Sequence, residues 1–251
     1  IVTDGACAAD SLDKCSGTVG EGAHGIVAQS IGGGGGMAGD ISLADGIRLE
    51  TYDPASFADV FGGRNGRGAS GEVDVEIGTI LTTQGAGAYG VIAQSIAGGG
   101  GLAGFGQAAY AGRSGGGDPD RNKAGKVSVD VYKGGGVIAS GENSAGIFVQ
   151  SLGDDIATQS LDIYIEGTVA GGTGEFGVGL LAHGGNASNR LELTRTGVLT
   201  AASGTAIRYQ GATSDADSRF TLVNDGVIDG SVEATYANGE AYFSAEGSTL
   251  S

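Results

Sequence analysis

Tryptophan is absent from these 251 residues, methionine occurs once, and proline, cysteine and histidine occur twice each. So little thiol and imidazole leaves few soft ligands, and the Cys7/Cys15 pair alone supplies too few for a four-coordinate zinc site. Basic residues are scarce too: 13 Lys+Arg stand against 29 Asp+Glu, a formal net charge of −16. A protein that displaces counterions from phosphates needs the opposite sign, which excludes nucleic acid and disfavours anionic membrane. No apolar run approaches the roughly 20 residues of a membrane span. The chain opens at Ile1 with neither a charged n-region nor an apolar h-region, and is expected to be a processed product or an excised fragment. What is abundant is glycine, 53 residues, which excludes a helix-rich protein because glycine is the poorest helix former after proline. Collagen is excluded as well, since runs such as Gly32 to Gly36 have no three-residue period.

The remaining apolar residues sit in short runs that repeat. Gly25-Ile26-Val27-Ala28-Gln29-Ser30-Ile31 recurs as Gly90-Val91-Ile92-Ala93-Gln94-Ser95-Ile96 and as Gly146-Ile147-Phe148-Val149-Gln150-Ser151-Leu152, with weaker copies from Gly179 and Ala206. A second element alternates with period two: Val73/Val75/Ile77, Val127/Val129/Val131, Leu161/Ile163/Ile165, Leu191/Leu193 and Phe220/Leu222. A third lies between them, at Gly78–Thr82, Gly136–Ala139, Gly167–Ala170, Gly197–Thr200 and Gly226–Asp229. Three short strands per repeat, with no room in the core copies for a crossover helix, predict an all-β, right-handed parallel β-helix: a three-sided solenoid of about six degenerate coils.

The anchors are unevenly spaced, by 65, 56, 33 and then 27 residues from Gly25 through Gly90, Gly146 and Gly179 to Ala206. The surplus follows the Gln-Ser strand each time, so residues 32–71 and 97–125 are expected to be long Gly-rich excursions from one corner. A short helix near Ser56 to Phe61 is the one helical expectation. The whole of 1–251 reads as a single solenoid domain, with an N-terminal Cys segment over 1–19 and a last coil with C-terminal segment over 219–251. Ile26, Val91, Ile147, Leu180 and Ile207 are expected to point inward, because the next position is Arg208 in one copy and must reach water. Val27, Ile92, Phe148 and Leu181 then face outward beside a row of Gln29, Gln94, Gln150 and Gln210. The excursions are expected to cover that stripe, with the glutamines bonded to excursion backbone.

At these residues the chain resembles the Gly-rich passenger regions of bacterial type V autotransporters. There a strand like Gly25–Ile31 runs into a glycine tract, and coils like Asn224-Asp225-Gly226-Val227-Ile228-Asp229-Gly230-Ser231-Val232 are common. The resemblance covers roughly residues 17 to 232. It implies a secreted or cell-surface protein of a family that includes adhesins, biofilm factors, proteases and esterases.

Several motifs imitate chemistry. Gly20-Glu-Gly-Ala-His-Gly25 and Gly85-Ala-Gly-Ala-Tyr-Gly90 match the dinucleotide fingerprint. Both occupy one repeat position ahead of a strand, so turn geometry explains them better than a phosphate cradle. Ser30, Ser95 and Ser151 approach a nucleophile elbow, but a nucleophile is not expected three times, and small residues entering a corner are the simpler reading. His24 and His183 occupy different repeat positions and are not expected to meet as a metal or base pair. Asp118/Asp120, Asp154/Asp155 and Asp215/Asp217 read as solvated loop charge, with a calcium site the alternative their hard carboxylates leave open. Cys7 and Cys15 are close enough to form a small disulfide loop in an extracytoplasmic compartment, two free thiols being the other reading.

No cofactor and no metal are expected. The function expected is a non-catalytic structural or adhesive rod that binds a cell-surface or matrix ligand, glycan or protein, through its excursions, with self-association as a further partner mode. The contact candidates are Tyr52, Phe57, Phe61, Arg64, Arg67, Phe105, Tyr110, Arg113 and Arg121. Together with Arg48 and Lys123, the arginines among them place six of the 13 basic residues on the excursions of an acidic chain. The alternative is a carbohydrate-active β-helix enzyme of polysaccharide lyase or hydrolase type. For that, Asp74/Glu76, Asp130, Asp162 and Glu166 are the available acids, more simply read as the solvent side of a strand.

Overall fold

A computed structural model describes residues 15–33, 35–38, 68–98, 100–104, 109–111, 123–153, 155–156, 159–184, 188–211, 219–235 and 243–246. Among the described residues there is no helix, and the fold is all-β with mostly parallel strands. The alternating element forms a first series: Val73–Ile77, Val127–Val131, Gln159–Ile165, Ser188–Leu193, Arg219–Asn224 and Phe243–Glu246, paired in parallel as one six-stranded sheet. A second series is Cys15–Thr18, Ile80–Thr83, Gly136–Ala139 and Thr168–Gly171. A third is Ile26–Ile31, Val91–Ile96, Ile147–Leu152 and Leu180–His183. The long strand Val198–Gln210 joins both, so the second and third series belong to one ten-stranded sheet, and Val227–Thr235 pairs along the same long strand. From Val73 to Thr235 each repeat thus gives one strand, or one half of a long strand, to each series, in the order the sequence predicts.

The register puts like on like. Val75, Val129, Ile163, Leu191 and Leu222 are consecutive partners. So are Ile26, Val91, Ile147, Leu180, Ile207 and Val232. These rows, with Leu81, Val137, Val169, Leu199 and Ile228 of the second series, form one continuous apolar core. The expected inward row is therefore the observed one. Arg208, one position on, reaches out to Glu233 at 2.8 Å. Val73–Ile77 alternates buried and exposed along its length, as a strand with one wet face must. Val91–Ile96 is buried at every position, so this strand is covered on both sides.

The core also holds a polar knot. The row Ala28, Ala93, Val149, Ala182 is filled at the next repeat by Tyr209, whose ring stacks on Phe220 at 4.5 Å. Its hydroxyl accepts from Asn189 Nδ2 at 2.9 Å, and Asn189 Oδ1 accepts from Ser160 at 3.0 Å. The buried tyrosine thus finds the partner a buried hydroxyl requires.

Both dinucleotide-like motifs resolve into turn geometry. Gly22 and Gly87 take φ of 61° and 64°, and Asn143 takes 54° in the following repeat, the left-handed conformation that glycine and asparagine tolerate best. The last glycine of each motif serves close stacking: a Cβ on Gly90 would lie 2.5 Å from the Gly146 carbonyl oxygen and closer still to Val137. Gly90→Ala should accordingly destabilise the protein by about 1–3 kcal/mol, the usual cost of overpacking, measured as a shift in the denaturation midpoint. An unchanged midpoint would mean that the repeats do not approach here.

Candidate functional site

Of the expected contact residues, Tyr52, Phe57, Phe61, Arg64, Arg67, Phe105, Arg113 and Arg121 lie outside the described residues, as do Arg48, the Ser56 to Phe61 stretch and Cys7. Tyr110 lies in the strand Ala109–Ala111 and Cys15 opens the strand Cys15–Thr18. Lys123 opens the exposed end of Lys123–Ala124. The acidic pairs Asp118/Asp120 and Asp215/Asp217, and Asp154, are also outside.

What is described is the root from which the excursions spring. The first leaves after Ile31 and returns at Gly68, where Gly98 N–H donates to the Gly68 carbonyl at 2.9 Å and Ser70 N–H to that of Lys123 at 2.9 Å. The two excursions therefore share one root. The three Gln-Ser serines fasten it. Ser30 accepts from Gly71 N–H at 2.7 Å; Ser95 donates to the Gly71 carbonyl and accepts from Gly125 N–H, both at 2.9 Å; Ser151 donates to the Gly125 carbonyl at 3.0 Å. These are corner-closing hydroxyls, as the repetition of the motif implied. Ser95→Ala strips a buried hydroxyl from two backbone groups and should cost about 1–3 kcal/mol; no loss in thermal unfolding would remove the serine from the corner.

Beyond the root the excursions pair with one another. Gly35–Ala38 runs parallel to Gly100–Gly104, Met37 opposite Leu102, and the latter strand pairs antiparallel with Ala109–Ala111. The glycine tracts thus form a small sheet of their own.

The outward side of the third series corrects one expectation and refines another. Ile92, Phe148 and Leu181 are buried, at 0%, 1% and 5% exposure, and only Val27, at 38%, remains open. The stripe is covered as expected, but the described residues clustered with it are Tyr89, Ala145 and Val178, which come from the turns that precede each strand. Among the described residues the glutamines bond to one another and not to excursion backbone. Gln29, Gln94, Gln150, His183 and Gln210 are register partners, and the first three amides bond in succession: Gln29 Nε2 donates to Gln94 Oε1, and Gln94 Nε2 to Gln150 Oε1 at 3.0 Å. An amide carries both donor and acceptor, so a stack at about 4.8 Å satisfies itself. Gln94→Ala would orphan one acceptor and one donor of the buried ladder and should cost about 1–3 kcal/mol in a denaturant titration; a neutral effect would show the amides bonded elsewhere.

The first series presents the acids. Asp74, Ser128, Asp162 and Arg190 are partners along one outward row, Glu76, Asp130, Tyr164 and Glu192 along the next. Burial, then the carboxylates of Asp74, Asp162 and Glu76, push the Asp130 carboxyl above its ordinary value, against the pull of Lys126. Lys126 bonds Asp162 at 2.6 Å and Arg190 bonds Glu192 at 2.6 Å. Tyr164 donates to Glu166 at 3.0 Å. Carboxylates and phenols on one open sheet face can hydrogen-bond hydroxyl-rich polymers. Among the described residues no group of three or more His, Cys, Asp or Glu side chains is placed to hold a metal ion.

Comparison with protein-family models, with curated proteins and with solved structures found no match in any of the three.

Proposed function

We propose that this chain is a non-catalytic, extracellular structural and adhesive rod, in which the stacked repeats wind as a right-handed parallel β-helix and the excursions carry contacts to a surface, matrix or biofilm ligand. The observation that carries this reading is the shared root. Two long insertions leave and return at one serine-fastened corner and pair strand to strand beyond it, so a regular scaffold offers one composite surface, the usual place for binding residues. The resemblance to autotransporter passengers adds a secreted or bacterial cell-surface setting, in which a Cys7–Cys15 disulfide is stable.

Immobilised glycans and matrix proteins probed with the 251-residue chain test this. Saturable binding is expected, weakened at least about tenfold (about 1.4 kcal/mol) by deletion of residues 39–67 with the melting profile retained. Binding undisturbed by that deletion would place the contacts elsewhere. A second reading, a polysaccharide lyase or hydrolase, draws on the raised carboxyl of Asp130 beside Glu76; turnover of a polysaccharide, lost in Asp130→Asn, would replace the first.

A further inference from the structure

The chain's two histidines stand at opposite ends of one row of rings on the outward side of the third series. His24 lies 5.7 Å from Tyr89, Tyr89 meets Phe148 edge-on at 6.1 Å, and Phe148 meets His183 edge-on at 5.5 Å. Tyr89 and Phe148 are at most 1% exposed. Each imidazole uses Nδ1 as an acceptor. His24 Nδ1 takes the Tyr89 backbone N–H at 3.1 Å. His183 Nδ1 lies 3.3 Å from Gln150 Nε2. The amide ladder fixes the direction of this second bond: Gln150 Oε1 already accepts from Gln94, so Gln150 has only N–H to offer, and His183 Nδ1 must carry a lone pair.

We propose that the His24–Tyr89–Phe148–His183 row is an acid-operated latch, which holds the outward side of the third series closed while both imidazoles are neutral and releases it when they take up protons. A proton on either Nδ1 sets donor against donor. At His24 it breaks the bond to Tyr89; at His183 it either breaks the end of the ladder or requires its amides to turn over. It also places a positive charge on half-buried imidazoles against the buried rings of Tyr89 and Phe148. Burial holds both imidazoles below their ordinary value, His183 at about 4. The open state, with ordinary imidazoles near 6.5, therefore binds more protons than the closed one, and opening is favoured progressively as pH falls from about 6.5 toward 4. For His183 alone the opening constant rises about a hundredfold by pH 4.

The surrounding charges do not produce this effect. The turns packed on the row carry Glu21, Glu142 and Glu175, all exposed, and among the described residues no charged group contributes to either imidazole's shift. At the far end of the outward row Arg208 pairs with Glu233 at 2.8 Å and donates to the Glu175 carbonyl at 2.6 Å. The pair holds that carboxyl below its ordinary 4.5, so it loosens only as pH falls below that value and leaves the window from about 6.5 down to it to the imidazoles. The acids of the first series act in the opposite sense: Asp130, raised by burial and its neighbours, gains stability on protonation as pH falls. Acid loosening thus separates the latch from the acidic face.

The test follows both imidazoles by proton NMR from pH 7.5 to 4 in the 251-residue chain, together with amide exchange at Phe148 and Val149 corrected for intrinsic rates. His24→Asn and His183→Gln keep an acceptor near Nδ1 but cannot charge. The expected result is titration of both imidazoles below about 6.5, exchange faster by about a hundredfold at pH 4, partial relief in each single variant, and a flat profile in the double. Ordinary titration of both histidines would overturn the latch, as would a double variant that loosens as the parent does. Should the double variant not fold at neutral pH, the parent titration and His183→Gln alone decide.

Discussion

Ile147→Asp should leave no cooperative unfolding transition at 25 °C. Ile147 is fully buried between Val91 and Leu180 in the inward row, in the middle of the stack, where a carboxylate has no partner. Loss of the side chain alone costs about 2–5 kcal/mol, and an unpaired buried charge adds several more, against a total stability of about 5–15 kcal/mol for an ordinary domain. Circular dichroism and a urea titration read the outcome. A loss below about 1 kcal/mol would mean that Ile147 is not buried at all, because both sides of this strand are covered and exchanging its faces would not spare the charge.

Phe148→Ala comes next in size, with an expected loss of about 3–5 kcal/mol. Its ring is 1% exposed and touches both Tyr89 and His183, so truncation opens a cavity in the second apolar cluster. Val27, in the same outward row but 38% exposed, supplies the contrast: Val27→Ala should change stability by less than about 1 kcal/mol, as surface substitutions usually do. Equal losses at the two sites, measured by urea denaturation, would deny that the turns close over this side.

The difference between these two positions also marks what could be read from the sequence. The third-series strand was legible because its text repeats nearly letter for letter from Gly25, Gly90 and Gly146, and the constant glycine set the register. Inward and outward faces followed from one residue, Arg208, which a core could not hold unpaired. The corner position of the excursions followed from where the surplus residues fall. The cover over the outward stripe was not legible. His24, Tyr89, Ala145 and Val178 occupy one repeat position but share neither size nor polarity, and turn residues carry no periodic signal. The place of His183 in the glutamine row was hidden for a related reason: its strand reads Leu180-Leu-Ala-His183, and only pairing to Ile147–Leu152 reveals the match. The self-bonding of the glutamines was within reach, since identical amides one strand spacing apart satisfy one another.

The most direct test of the account is a distance along the stack. Asp74 and Thr221 lie far apart in sequence but in one outward row of the first series, joined through Ser128, Asp162 and Arg190. Four parallel strand spacings of about 4.8 Å place them about 19 Å apart. Spin labels at Asp74→Cys and Thr221→Cys, in a chain whose native cysteines are replaced by serine, should give a narrow distribution centred at about 20 Å by electron–electron resonance. A broad distribution, or one centred beyond about 35 Å, would contradict one strand per repeat stacked in parallel register.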